Sequence, residues 1–355
     1  MSKGLLTIKA GETAFNQIKQ QGLQAQDIEL LLGASGGPKW FVLQGMDRYL
    51  FGDFLAAKTT PLNTLGTSAG AWRFAALGQQ DPLAASDLFA RLYSHQTYSA
   101  KPDRHEITAA AKQLLAEYVP ANAISNMLAQ THIRHHFIVA RCLRGTAAEG
   151  RRQMLGLLSS ALANSLSRRA LGRYYERVVF HHPQATLNFC RPWQDLPTRF
   201  VTLTEENFAP ALLATGSIPL VLDGVRDIPG APAGVYRDGG ITDYHFDLDF
   251  SAVNGLVLYP HFHQQVTPGW FDKRLKKRRT SGKQWPNVVL ISPSEAFVKQ
   301  LPYGKIPDRT DFQKMPAAQR IDYWQQAIAA GQRLGEELQT LIETGAIKDR
   351  VQLWP

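Results

Sequence analysis

The sequence predicts an α/β fold: a mostly parallel sheet with helices covering both of its faces. Three observations point there. Apolar, β-branched runs of strand length alternate with segments of helical periodicity along most of the chain. The runs read as continuous hydrophobic stretches, which suits strands buried on both faces. Two of them pass directly into small-residue, glycine-containing turns that open helices. The 355 residues are 44% hydrophobic and 19% charged, an ordinary globular composition. No linker divides them, so one domain over 1–355 is expected.

Taken in order, "DIELLLGASGG" is a buried strand (Ile28 to Leu32) running into a glycine loop. "KWFVLQGMDRYLF" then reads as a helix with Phe41, Met46, Tyr49 and Leu50 available for one face. "TPLNTLGT" is a second short strand, and "AGAWRFAALG" the helix after it, stopped by Gly78. From Asp81 to about Leu128 the pattern is helical, broken near Lys101-Pro102 and Pro120, and the block 82–130 is the expected helical insertion. "HHFIVARCLRG" is a strand, and "RQMLGLLSSALANSLSRRAL" is helical and apolar. "ERVVFHH" and "TRFVTLT" are strands, and "NFAPALLATGSIPLV" is a short helix entering a Ser-Ile-Pro turn. "AGVYRDGG" is a strand that ends on an aspartate, and "VNGLVLYP" and "PNVVLISP" are two more strands. A helical tail occupies about 305–345, with one long helix from Pro316 to about Thr344 and weak points at Gly331 and Gly335.

The formal net charge is +9, part of it concentrated in Asp272 to Arg279, "DKRLKKRR". Such a cluster attracts phosphate, and the neighbouring Trp270, Phe271 and Trp285 turn the expectation towards an anionic membrane surface contacted through Lys273–Arg279. No zinc finger, RNP-type strand or basic heptad helix is present, so no nucleic-acid partner is expected. Two cysteines, Cys142 and Cys190, form neither a disulfide framework nor a metal-ligand pattern. No apolar run has signal-peptide character or transmembrane length. The expectation is a cytoplasmic protein, peripheral at the inner membrane surface if the basic segment binds lipid.

The chemistry centres on "GTSAG", Gly66 to Gly70, which fits G-x-S-x-G. A serine on a sharp strand-to-helix turn is held out of the sheet, and small residues on either side let strand and helix approach. Ser68 is therefore the candidate nucleophile, with the helix N-terminus adding positive potential near its oxygen. Acyl transfer also needs an oxyanion hole. "GASGGPKW", Gly33 to Trp40, places Gly36 and Gly37 where their N–H groups could meet a developing oxyanion, with Lys39 in the next turn. That loop has neither the P-loop nor the G-x-G-x-x-G spacing. For a base, "YRDGG" ends a strand at Asp238, and Gly239 and Gly240 let the chain turn away from the carboxylate. A partly buried carboxylate beside a hydroxyl becomes basic enough to take its proton. The other arrangement is a Ser-Asp-His triad, with His261 or His263 as base, oriented by Asp223, Asp227 or Asp238.

"SGGPKW", "GTSAG" and "DGG", in this order, resemble the patatin-like phospholipase family. The likeness spans Ile28 to about Gly240 and leaves the chain beyond about Val266 outside it. It implies a three-layer α/β/α patatin-like fold and hydrolysis of acyl esters of glycerolipids by a Ser-Asp dyad without histidine, metal or organic cofactor. It places the nucleophile at Ser68, the base at Asp238, oxyanion donors at Gly36 and Gly37, and supporting positions at Lys39, Gly66, Gly70 and Gly239. The sequence departs from the family loop where Ser35 stands for its first glycine and Trp40 for its last. A relative that binds lipid without turnover, or a triad esterase or thioesterase, is the competing expectation. The substrate is expected to be a lipid or another acyl ester.

Overall fold

The computed structural model describes residues 4–355. Eleven strands form one sheet: β1 (Leu6–Ala10), β2 (Ile28–Gly33), β3 (Leu62–Gly66), β4 (Ile133–Cys142), β5 (Tyr175–His181), β6 (Thr198–Thr202), β7 (Val225–Arg226), β8 (Val235–Asp238), β9 (Leu256–Pro260), β10 (Val288–Pro293) and β11 (Val351–Leu353). Their spatial order is β11-β1-β10-β9-β2-β3-β4-β5-β6, with β8 beside β4 and β7 outside β8. Six pairings are parallel, while β1 with β10, β4 with β5, β4 with β8 and β7 with β8 are antiparallel. Helices flank this mixed, mostly parallel sheet in a three-layer α/β arrangement. The central strands β2, β9 and β10 are almost wholly buried, as continuous apolar strands between helical layers must be.

The sheet positions the site through β4, which is long enough to take two neighbours in series along one edge. β3 pairs with its first half, ending at Gly66 opposite Phe137. β8 pairs antiparallel with its second half, ending at Asp238 opposite Val139. The two strands run towards each other, so the residues that leave them arrive at one place.

The 82–130 block folds as helices Pro82–Ser94, Arg104–Tyr118 and Ala121–Ala129, separated where the prolines predict. Asp81 and Asp103 cap the first two, their carboxylates accepting backbone N–H bonds. The segment after the first glycine loop is less regular than its periodicity suggests. It runs as a 3₁₀ turn Gly37–Leu43, an α-helix Gln44–Tyr49 and a π-turn Leu50–Phe54. Pro38 at its start leaves one N–H fewer to satisfy in that opening turn. The tail helix is unbroken from Ala317 to Glu343. Gly331 and Gly335 are not weak points but a close crossing. A Cβ on Gly335 would stand 2.2 Å from the Gly45 carbonyl oxygen, and one on Gly331 2.8 Å from that of Val42.

Candidate active site

Ser68 sits at the turn between β3 and the helix Ala69–Leu77, with φ 50° and ψ −128°. A non-glycine residue held there stores about 1–3 kcal/mol of backbone strain. The small residues beside it are required by distance. A Cβ on Gly70 would lie 2.0 Å from the Gly33 oxygen, and one on Gly66 2.6 Å from the Ala71 backbone. The Ser68 N–H donates to the Thr215 hydroxyl at 2.9 Å, and that hydroxyl donates to the Ile138 carbonyl at 2.6 Å. Ile138 is the β4 residue between the two that face Gly66 and Asp238, so β4 fixes both ends of the site at once.

The Ser68 hydroxyl donates to Asp238 Oδ2 at 2.9 Å. The other carboxylate oxygen accepts the Gly240 N–H at 2.7 Å. The Asp238 backbone N–H is held by the Ser217 carbonyl and that of Gly239 by the Thr215 carbonyl. "LLATGSIPLV" thus lies directly against both strands that carry the site. Burial pushes the Asp238 carboxyl up to about 6, against the pull of the Gly240 N–H, the Ser68 hydroxyl, Arg309 and Lys273.

The first glycine loop lies beside this pair. Gly36, Gly37, Lys39, Ser68 and Asp238 line one polar cleft of about 680 Å³. Gly37 has φ 54°, the left-handed region that favours glycine. Among the described residues, neither the Gly36 nor the Gly37 N–H donates to another backbone group. Ser35, standing where a glycine was expected, ties the loop to the Ser68 turn: its hydroxyl donates to Thr67 Oγ1 at 3.0 Å, and Thr67 donates to the Asp243 carbonyl. Trp40 does not crowd the loop; it is buried and stacked on Phe89 with ring centres 4.8 Å apart.

The histidines weighed for a triad stand elsewhere. His261 Nδ1 bonds to the backbone of His263, and the His261 ring lies 4.4 Å from that of His245. Phe262 between His261 and His263 packs under Gly36, so the cluster backs the glycine loop. Burial pushes His245 far down and His261 down to about 3, which keeps both neutral. Among the described residues no histidine hydrogen-bonds to Ser68 or Asp238. Asp223 holds Arg104 and the exposed His105, and Asp227 accepts the Gly234 N–H.

Three cations, Lys39, Lys273 and Arg309, enter the polar cleft together with one carboxylate besides Asp238, that of Asp308. Among the described residues none of the three cations is within ion-pair distance of a carboxylate. Desolvation lowers the Lys39 ammonium, and desolvation together with Lys39 and Arg309 brings that of Lys273 down to about 8. The Lys273 ammonium lies 4.1 Å from the centre of the Tyr244 ring. Lys273 read in sequence as one more member of a basic run, and Arg309 carried no motif, so their convergence was not foreseen. A second, larger groove of about 2090 Å³ also reaches Ser68 and Gly37, lined by Trp72, Phe89, Tyr93, Leu114, Leu213 and Leu222 among others. The aromatic neighbourhood expected to face lipid is only partly there. Trp285 is fully buried, its Nε1 donating to the Leu248 carbonyl at 2.8 Å, while Trp270 and Phe271 are partly exposed.

No family model matches the chain. No curated protein matches it by sequence. Among solved structures, it is similar to VipD from Legionella pneumophila at 16% identity and a TM-score of 0.33, covering 78% of this chain and 56% of that one. It is also similar to human GIVD cytosolic phospholipase A2 at 12% identity and a TM-score of 0.34, covering 95% and 62%. Superposition at these values is loose, and the chain spans less than two thirds of either neighbour.

Proposed function

We propose that the protein is a serine acyl hydrolase acting on carboxylic esters of lipids through Ser68 and Asp238. The 2.9 Å bond from a strained serine hydroxyl to a carboxylate raised to about 6 carries this reading. Asp238 takes the Ser68 proton as Oγ attacks the ester carbonyl. The oxyanion is met by the N–H groups of Gly36 and Gly37; one such donor contributes about 3–4 kcal/mol to the transition state. The departing alcohol receives the proton from Asp238, leaving an acyl-enzyme. Water then gives a proton to Asp238 and attacks the acyl carbon; the acid leaves and the proton returns to Ser68. Each group ends the cycle in the state in which it began it.

The two clefts divide the substrate. The acyl chain lies along the apolar side of the larger groove, against Trp72, Phe89, Leu114 and Leu213, much of it supplied by the helical insertion, and an anionic end of the ester meets Lys39, Lys273 and Arg309, the last of which borders both clefts. A triad esterase would need a histidine near Ser68, and the geometry favours the dyad over it. Fluorophosphonate labelling tests the reading. Wild type and single His245→Gln, His261→Gln and His263→Gln variants should label, whereas Ser68→Ala and Asp238→Asn should not. Loss of labelling in a folded histidine variant would move the chemistry to a triad. An unlabelled wild type, in the presence and absence of detergent, would remove the hydrolase reading and leave a lipid-binding protein.

A further inference from the structure

The helix Gly150–Leu166 is packed with its apolar side outward. Its buried positions are Gln153, Gly156, Leu157, Ser160 and Asn164, mostly small or polar. Gly156 sits so close to the Gly145–Thr146 backbone that a Cβ would meet it at 2.8 Å. The opposite side carries Met154, Leu155, Leu158, Leu162 and Leu166, each between 51% and 87% exposed. At 3.6 residues per turn these five fall within an arc of about 120°. They are five of the nine large apolar side chains exposed among the described residues. A contiguous stripe of this kind marks a surface that is covered in use.

The charge around it selects the cover. Residues 150–175 hold five arginines and no carboxylate; Arg168 is turned inward on Asp243 and Asp272, and Arg151, Arg152, Arg169 and Arg173 are exposed, while residues 273–283 hold seven lysines and arginines and no carboxylate, of which Arg278 is paired with Asp272. Arg151 and Arg152 are exposed in the first turn, where a cation opposes the helix dipole, so helix stability does not explain them. The second basic stretch is fastened to the far end of the helix. Asn164 donates to Asp272 at 2.7 Å, and Arg278 donates to Asp272 and to the Ser165 carbonyl, both at 3.1 Å. A second copy of the chain, seated stripe to stripe by two-fold symmetry, would bring these basic flanks against each other. An anionic bilayer satisfies the apolar stripe and the flanks together.

We infer that the Gly150–Leu166 helix is the membrane-docking element, lying in the headgroup layer of an anionic bilayer with the 273–279 segment as its charged flank. No helix of the described residues is long and apolar enough to cross a membrane, and this one lies along it. The position serves the site. Gln153 Oε1 accepts the N–H of Leu220, an exposed residue at the rim of the apolar groove, at 3.3 Å. At the other end the helix meets the Trp270–Asp272 turn, whose Trp270 lines the polar cleft. The helix therefore runs beside the openings of both clefts, a placement whose use rests on the hydrolase reading.

Sedimentation with vesicles tests the inference, using phosphatidylcholine alone and phosphatidylcholine with phosphatidylglycerol at about 7:3. Wild type should pellet with the mixed vesicles and far less with the neutral ones. The variant Leu158→Ser/Leu162→Ser/Leu166→Ser should lose at least about tenfold in partitioning. Its melting temperature and Ser68 labelling should be unchanged, since the stripe supports neither core nor site. Lys276→Ala/Lys277→Ala/Arg279→Ala should lose the preference for the anionic vesicles. Unchanged partitioning of the triple serine variant would overturn the inference. So would a wild-type dimer that ignores vesicles and is split by that variant. Vesicle binding by a protein that fluorophosphonate does not label would leave the docking helix in place and remove the hydrolase.

Discussion

Asp238→Asn should make the protein more stable and inactive at once, and the gain in stability should depend on pH. The folded pKa of Asp238, about 6, lies above its ordinary value of 3.8 because burial penalises the carboxylate. A raised pKa means that the fold binds the proton more tightly than the unfolded chain does. The stability that this group contributes is therefore full below pH 3.8 and is lost as the pH rises through 6. The shift is about two pH units, so keeping Asp238 ionised in the fold at pH 7 costs about 3 kcal/mol. Asparagine removes that cost, and its oxygen can still accept the Gly240 N–H that Asp238 accepts at 2.7 Å. Melting curves of wild type and variant at pH 4 and pH 7 read the difference. The two should be nearly level in acid and separate by a few degrees at neutrality, the variant higher. Other buried carboxyls, such as Asp47 and Asp247, titrate in both proteins and cancel. Hydrolysis of a p-nitrophenyl ester should fall by about 10³-fold in the variant. A stability gap that ignores pH, or a variant that turns over at the wild-type rate, would refute the assignment of an electrostatically strained base.

The wild-type pH profile of kcat/KM should show an acid limb with its midpoint near 6, falling tenfold per unit below it as Asp238 protonates. Ser68→Gly should be more stable than Ser68→Ala by about 1–3 kcal/mol in urea unfolding, since glycine accepts φ 50° without strain. Arg177→Ala should cost about 3–5 kcal/mol, because it leaves the fully buried Asp243, which Arg177 grips through Nε and Nη2 at 2.7 and 2.8 Å, with only the longer 3.4 Å contact to Arg168. Lys273→Ala and Arg309→Ala should raise KM for esters bearing a phosphate while leaving that for neutral esters within about twofold. Equal effects on both substrate kinds would remove the anion-recognising role.

The strands were legible where a continuous apolar run meets a turn residue: β2, β3, β8, β9 and β10 lie where those runs predict. The glycine loop, the Ser68 turn and the Asp238 turn were legible as well, because each carries a local backbone demand that few residues meet. What the sequence could not say is that β4 would receive β3 and β8 end to end, which decides that Ser68 and Asp238 meet. That depends on strand register, a long-range property. β7 and β11 were missed because two or three residues give too little pattern, and β1 because its Leu6-Thr7-Ile8-Lys9 alternates apolar with polar residues instead of forming a continuous apolar run. The Gly150–Leu166 helix was legible as apolar but not as inverted, since only the Gly145 backbone beneath it decides which side goes in. Trp285 was placed at a lipid surface by the company it keeps in sequence, whereas its indole N–H finds a buried carbonyl.

The crossing of Gly45 by Gly331 and Gly335 has a consequence for synthesis. The loop bearing Gly36 and Gly37 leads into the 3₁₀ turn and helix that this crossing holds in place. Those residues leave the ribosome nearly 300 positions before the helix that seats them. Asp238 likewise follows Ser68 by 170 residues. On the proposed reading, a nascent chain thus carries Ser68 for much of its elongation without Asp238 beside it or a firmly seated Gly36–Gly37 loop opposite. The enzyme proposed here would come into being only once residues 317–343 dock, and a ribosome stalled before them would release a chain whose oxyanion loop has not been seated.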